Sequence, residues 1–148
     1  MSTMESQGVG GSMQAQRLAA NDAPARVWVA EGNGTLRRRI VALLAHEGYE
    51  VVELADGEGL LRELTAAGSD TGVSPSLIVT DLALTGCDGM ALLNRLRSER
   101  QDIPVILLSA PPNAERLGHA GIGDEAFILH RPFDLEDLLF AALTLAEP

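Results

Sequence analysis

Lysine is missing altogether: all eleven cations among the 148 residues are arginines. Any mechanism that needs a lysine amine is therefore excluded in this chain. Cysteine occurs once, at Cys87, which excludes an internal disulfide and fits a reducing compartment. Aromatic residues make up only 3% of the sequence against 46% apolar residues in all, so a core of real size can form but must be aliphatic. Positive charge is also short. The net charge is −10, which disfavours nucleic acid as a partner, because phosphates need a basic surface. No apolar run reaches the roughly 18 residues of a membrane span, and the amino terminus shows neither the basic start nor the apolar stretch of a signal peptide. The chain reads as cytoplasmic with no membrane partner, and its length suits one ordinary domain.

What is present alternates. Residues 1–24 are rich in Gly, Ser, Gln and Ala and poor in branched apolar residues, which predicts a flexible tail ahead of a packed domain over 25–148. RVWVAE at 26–31 predicts a first strand, and the GNG turn leads into a helix over 35–47 with Thr35 as N-cap, Leu36, Ile40, Leu43 and Leu44 on one face, and Gly48 as its stop. YEVVEL at 49–54 predicts a second strand, and Leu60, Leu61 and Leu64 a helix over 57–67. SLIVTD at 76–81 predicts a strand buried on both faces, and Asp88 caps a helix over 89–100. IPVILL at 103–108 predicts a fourth strand. A short helix then begins at Pro111 and is undercut by Gly118, Gly121 and Gly123. EAFILH at 125–130 predicts a fifth strand, and Asp134 caps a last helix with Leu135, Leu138, Leu139 and Ala142 inward. Five β–α units in alternation imply a parallel sheet with helices on both faces. Arg37, Arg38 and Arg39 fan over about 200° of a helix, so they read as solvated surface and not as one basic patch.

Chemistry in such a sheet gathers at the carboxyl ends of the strands. The ends of strands one, three, four and five carry Glu31, Asp81, Ser109 and Arg131. Each is common alone. Together they form an acid pair, a hydroxyl and a cation, a set that suits a phosphoryl group. Carboxylates hold a divalent ion, one attacks phosphorus, the hydroxyl bonds a phosphoryl oxygen and the cation stabilises charge.

From about residue 26 to 146 the chain resembles a response-regulator receiver domain of two-component signalling. VWVAEGNGTLR, GYEVVELADGEGLL, SLIVTDLALTGCDGMALLNRLR, IPVILLSA and RPFDLEDLL carry the resemblance in order. It implies a flavodoxin-like (βα)5 fold with strand order 2-1-3-4-5. It implies Asp81 as phosphoacceptor, Ser109 as switch hydroxyl, Arg131 where the family has lysine, and a cis bond before Pro132. Glu31 matches the first of the family's two acids, and the second, a direct metal ligand, falls on Gly32. Thr85 stands where proline is frequent, and Ile128 where an aromatic switch residue is frequent.

These departures weaken the chemistry the resemblance implies. Gly32 removes an oxygen ligand, which leaves Glu31, Asp81 and Ala83 as a weak metal site, and magnesium binding is expected to be weak. Arg131 keeps the charge of lysine but not its compact shape, and it can pair with Asp81 and close the pocket. The expected function is a signalling receiver acting by protein–protein contact, with weak or no magnesium-dependent phosphorylation. A conventional regulator phosphorylated on Asp81 is the alternative. A phosphohydrolase with Asp81 as nucleophile is a second, set back by Ala83 where such enzymes want a second Asp. The implied partners are a sensor histidine kinase, a phosphotransferase or another signalling protein, met through the face of the fourth helix, fifth strand and last helix. A homodimer stays open. The chain ends with its last helix, so the module is expected to act by contact alone or as a fragment of a longer regulator. Cys87 reads as chance occupancy of a loop, no cation standing clearly beside it. His46, His119 and His130 are not spaced as a metal site, and the GNG turn lacks the dinucleotide fingerprint.

Overall fold

The computed structural model describes residues 23–69, 72–110 and 126–148. Nearly all of the expected tail over 1–24, and the expected short helix over 111–123, lie outside the described residues. Five strands, β1 (Arg26–Ala30), β2 (Glu50–Leu54), β3 (Leu77–Asp81), β4 (Val105–Ser109) and β5 (Phe127–His130), form one parallel sheet in the order β2-β1-β3-β4-β5. Four helices are described: α1 (Gly34–His46), α2 (Gly57–Ala67), α3 (Gly89–Ser98) and α4 (Leu135–Leu145). The alternation predicts the parallel sheet, and its order is the flavodoxin-like one that the resemblance implies.

The side-chain alternation of the strands sorts the core into two layers. Val27, Val29, Leu77, Val79, Ile106 and Leu108 pack with Ile40 and Leu44 of α1 and Leu138, Ala141 and Ala142 of α4. Trp28, Ala30, Ile78, Val105 and Leu107 point the other way, onto Leu60 and Leu64 of α2 and Leu92, Leu93 and Leu96 of α3. Aliphatic volume does nearly all the filling, and the sole tryptophan, Trp28, is itself buried. The Tyr49 hydroxyl donates to the Ala146 carbonyl and ties the start of β2 to the end of α4.

Local signals set the element ends, most within a residue or two of expectation, and three differences have a physical reason. Asn33, not Thr35, caps α1, its side chain accepting from the Leu36 N–H at 2.9 Å. Both residues precede the apolar face, and asparagine outranks threonine at this position. Asp56 and Asp88 cap α2 and α3 by accepting from the Gly59 and Ala91 N–H groups, each at 2.8 Å. Asp134 holds the N-cap position of α4 but makes no side-chain bond there. Its charge, with Glu136 and Asp137 in the first turn, still complements the positive end of the helix dipole. The third difference is β4, which begins at Val105 rather than 103. Pro104 has no N–H to give to a ladder, although its carbonyl accepts from the Ile78 N–H at 3.0 Å. Gly48 ends α1 with a left-handed φ of 106°, a conformation that favours glycine.

Candidate functional site at the carboxyl edge of the sheet

The parallel register brings the ends of β1, β3, β4 and β5 to one edge, where Ala30 lies beside Thr80, Asp81 beside Leu108 and Ser109 beside His130. Glu31 follows β1, Asp81 closes β3, Ser109 closes β4 and Arg131 follows β5. The structure brings the three charged groups together. One guanidinium nitrogen, Arg131 Nη2, lies 2.6 Å from Glu31 Oε1 and 3.6 Å from Asp81 Oδ2. The first distance is a charge-assisted hydrogen bond and the second is an ion pair without one. Arg131 therefore closes on Glu31 more tightly than on Asp81, the partner that the sequence offers it.

Glu31 is a buried carboxylate, its side chain 4% exposed. A charge so placed needs partners, and both of its oxygens have them. Oε1 takes Arg131, and Oε2 accepts from the Asn33 N–H at 2.9 Å. The main chain is held too. The Glu31 N–H donates to the Leu54 carbonyl at 3.1 Å, and Arg37 Nη1 donates to the Glu31 carbonyl at 2.8 Å. Arg37 in turn bonds Glu53 at 2.7 Å. Arg37 is thus no solvated surface residue but the strut between the β1–α1 turn and β2. Three consecutive arginines gave no local sign of which would turn inward. The signal lay in the register, which sets Glu53 of β2 beside Val29.

Asp81 keeps a 23% exposed side chain, and its Oδ1 accepts from the Ala83 N–H at 3.1 Å. The Ser109 hydroxyl is buried and has no hydrogen-bond partner among the described residues, while the Ser109 carbonyl accepts from the Arg131 N–H at 2.6 Å. The Arg131–Pro132 peptide bond is cis. The Arg131 guanidinium carbon lies 5.8 Å from the centre of the Phe133 ring, within cation–π range.

Cys87 is buried in the loop after β3. Burial, then the charge of Asp88, pushes its thiol pKa up, with Arg95 opposing. A thiol held neutral is a poor nucleophile. Iodoacetamide at pH 8 is therefore expected to label Cys87 far more slowly in the native chain than in urea, as followed by intact mass. Equal rates would refute this account of its environment.

The magnesium that the resemblance implies does not fit the donors present. Such an ion wants near-octahedral oxygen ligands including one or two carboxylates. Both Glu31 oxygens are engaged, Gly32 has no side chain to offer, and Asp81 faces a cation. Among the described residues, no group of three or more His, Cys, Asp or Glu could hold a metal ion.

Comparison with known proteins shows what the chain is similar to. Residues 27–143 match the family model described as "Response regulator receiver domain". The chain is 30% identical over 117 residues to "Response regulator MprA" of Mycolicibacterium vanbaalenii, covering 78% of this chain and 48% of that protein. It is 26% identical over 121 residues to "Probable transcriptional regulatory protein TcrX" of Mycobacterium tuberculosis, covering 81% and 49%. The chain thus spans about half the length of the curated relatives it matches. Among solved structures, the Francisella response regulator 1452 receiver domain superposes with a TM-score of 0.69 at 25% identity, over 82% of this chain and 95% of that one. A receiver domain protein from Clostridium thermocellum, at TM-score 0.70, 23% identity and coverage of 82% and 93%, shows the shared fold.

Proposed function

The chain belongs to the response-regulator receiver family, and from that premise we propose that it is an atypical receiver, signalling by protein contact with weak or no magnesium-dependent phosphorylation of Asp81. Receiver domains are signalling modules that meet histidine kinases and phosphotransfer proteins. One observation carries the finer reading. The remaining acid of the pair, Glu31, has its carboxylate engaged by Arg131 and the Asn33 N–H, and position 32 carries no acid. Phosphoryl transfer to Asp81 would lack the divalent charge that neutralises the phosphoryl oxygens in such transfers.

The partner, a signalling protein or a second copy, is read as meeting the face of β5 and α4; the helix expected over 111–123 beside it lies outside the described residues. Phe127 on β5 and Phe140 and Leu143 on α4 are exposed large apolar side chains, of a kind that partners cover. A conventional phosphoacceptor is the second reading. It is favoured by Asp81, whose carboxylate stays partly exposed and is not in hydrogen-bonding contact with Arg131.

The test is incubation with magnesium and acetyl phosphate, or with beryllofluoride, followed by intact mass and amide NMR shifts, with Asp81→Asn as control. The absence of lysine helps, since acetylation of side-chain amines cannot confuse the mass. We expect no Asp81-dependent gain and unchanged spectra. A stoichiometric phosphoryl gain lost in D81N would overturn the atypical reading and establish the conventional one.

A further inference from the structure

Two departures bear on the misfit to magnesium, the missing acid at position 32 and the arginine at position 131. A Cβ built on Gly32 would meet nothing nearer than the Ala55 carbonyl at 4.0 Å, and its backbone is not in the left-handed region. A Cβ therefore finds open space at this position, and glycine there is no requirement of the backbone. The position between Glu31 and Asp81 is taken by Arg131. We propose that the Arg131 guanidinium is the resident cation of this pocket and keeps divalent ions out, so that restoring an acid at position 32 alone does not create a metal site. The inference rests on the atypical reading above.

The geometry supports it in three ways. The same nitrogen, Arg131 Nη2, is nearest to both Glu31, at 2.6 Å, and Asp81, at 3.6 Å. An ion bridging these carboxylates would need the volume this nitrogen fills. The charge is also permanent. A guanidinium does not deprotonate in a protein, so no accessible pH empties the position. Finally, the cation is pre-placed. The Arg131 N–H is bonded to the Ser109 carbonyl at 2.6 Å, the Phe133 ring lies alongside the guanidinium, and Glu31 is fixed by Asn33 and Arg37. A tethered group acts at an effective concentration in the mM range or above, so a divalent ion has to displace it rather than enter an empty site. An aspartate added at position 32 becomes a further acceptor for the guanidinium before it becomes a metal ligand. A lysine ammonium is compact and can withdraw along its flexible stem.

The experiment compares four full-length chains: wild type, Gly32→Asp, Arg131→Lys and the double variant. Each is titrated with Mg²⁺ and followed by the amide resonances of Glu31, Asp81 and Ala83, with Mn²⁺ line broadening as the second readout. The wild type and G32D are expected to show no saturable response in the mM range. The double variant is expected to bind at least about tenfold more tightly than G32D, since a full charge is moved within a few ångströms of the site. Magnesium binding by G32D as tight as by the double variant overturns the proposal and leaves the atypical reading standing, because the missing acid then accounts for everything. No binding by any chain also overturns it, because removing the guanidinium then opens nothing. Saturable binding by the wild type sinks the atypical reading itself. Native amide dispersion in each chain guards against misfolding, and Gly32→Asp with Arg131→Gln replaces the lysine double variant where that chain does not fold.

Discussion

Replacing Arg131 with methionine is expected to lower the free energy of unfolding by about 3 kcal/mol, the low end of the cost of breaking a buried ion pair. The reason is what remains. Glu31 keeps its place at the end of β1, its side chain 4% exposed, with one hydrogen bond from Asn33 and no counter-ion. A buried carboxylate in that state is destabilising well beyond the worth of the lost contact. The low end applies because the Arg131 side chain is 26% exposed, so water can reach the vacated position and soften the penalty. The pair variant Glu31→Gln with Arg131→Met removes both charges and is expected to recover most of the loss. Urea unfolding of the wild type, both single variants and the pair gives the coupling directly. An R131M chain within about 0.5 kcal/mol of the wild type, the range of an ordinary surface substitution, would show that the Glu31–Arg131 contact is not closed in solution.

The strands and their order were legible because each core strand is a short branched-apolar run bounded by turn residues, and such a run admits few other structures. LIVTD of β3 is buried on both faces, and its neighbours sort into two layers by simple alternation. The four strand-end residues were legible for the same reason. Once the sheet is parallel, Glu31, Asp81, Ser109 and Arg131 must share an edge. Which carboxylate takes the guanidinium was not legible. Both lie within reach of the same nitrogen, and the choice turns on about an ångström set by the β1–α1 turn. That turn depends on Asn33 and Arg37, and neither announces itself. Asn33 competes with Thr35 for the cap. Arg37 is distinguished from Arg38 and Arg39 only by Glu53, sixteen residues on, so tertiary register and not local pattern selects it. The fold is therefore written in periodicity, while the state of the pocket is written in contacts that periodicity does not carry.

The loop that carries the neighbours of Asp81 has its own constraint, and Gly57→Ala is expected to break it. A Cβ on Gly57, the first residue of α2, would lie 2.0 Å from the Cys87 nitrogen, 2.5 Å from the Gly86 carbonyl carbon and 2.7 Å from the Thr85 oxygen. All three are backbone atoms, so no side chain can swing aside. The approach is made possible by Gly86, whose φ of 98° turns the loop onto α2, and it is sealed by the Gly57 N–H donating to the Thr85 carbonyl at 2.7 Å. Neither side can retreat cheaply. Asp56 caps α2 while Leu60 and Leu64 anchor it in the core, and the loop is pinned by buried Leu84 and Cys87. The cost is expected at the upper end of the overpacking range, about 3 kcal/mol, or roughly 10 °C in melting temperature for a domain of this size. Gly59→Ala is the control. Its Cβ would meet Asp56 Oδ1 at 3.4 Å and Leu54 Cδ2 at 3.6 Å, ordinary contacts, and the gain in helix propensity of up to about 1 kcal/mol should leave it neutral or more stable. The G57A chain should also shift the Ala83 amide, whose N–H is bonded to Asp81, because the displaced loop begins there. A G57A chain that melts with the wild type, or one whose Ala83 resonance stays in place, would mean that α2 and the Asp81 loop slide past each other freely, and that the Asp81 carboxylate is not positioned by this contact.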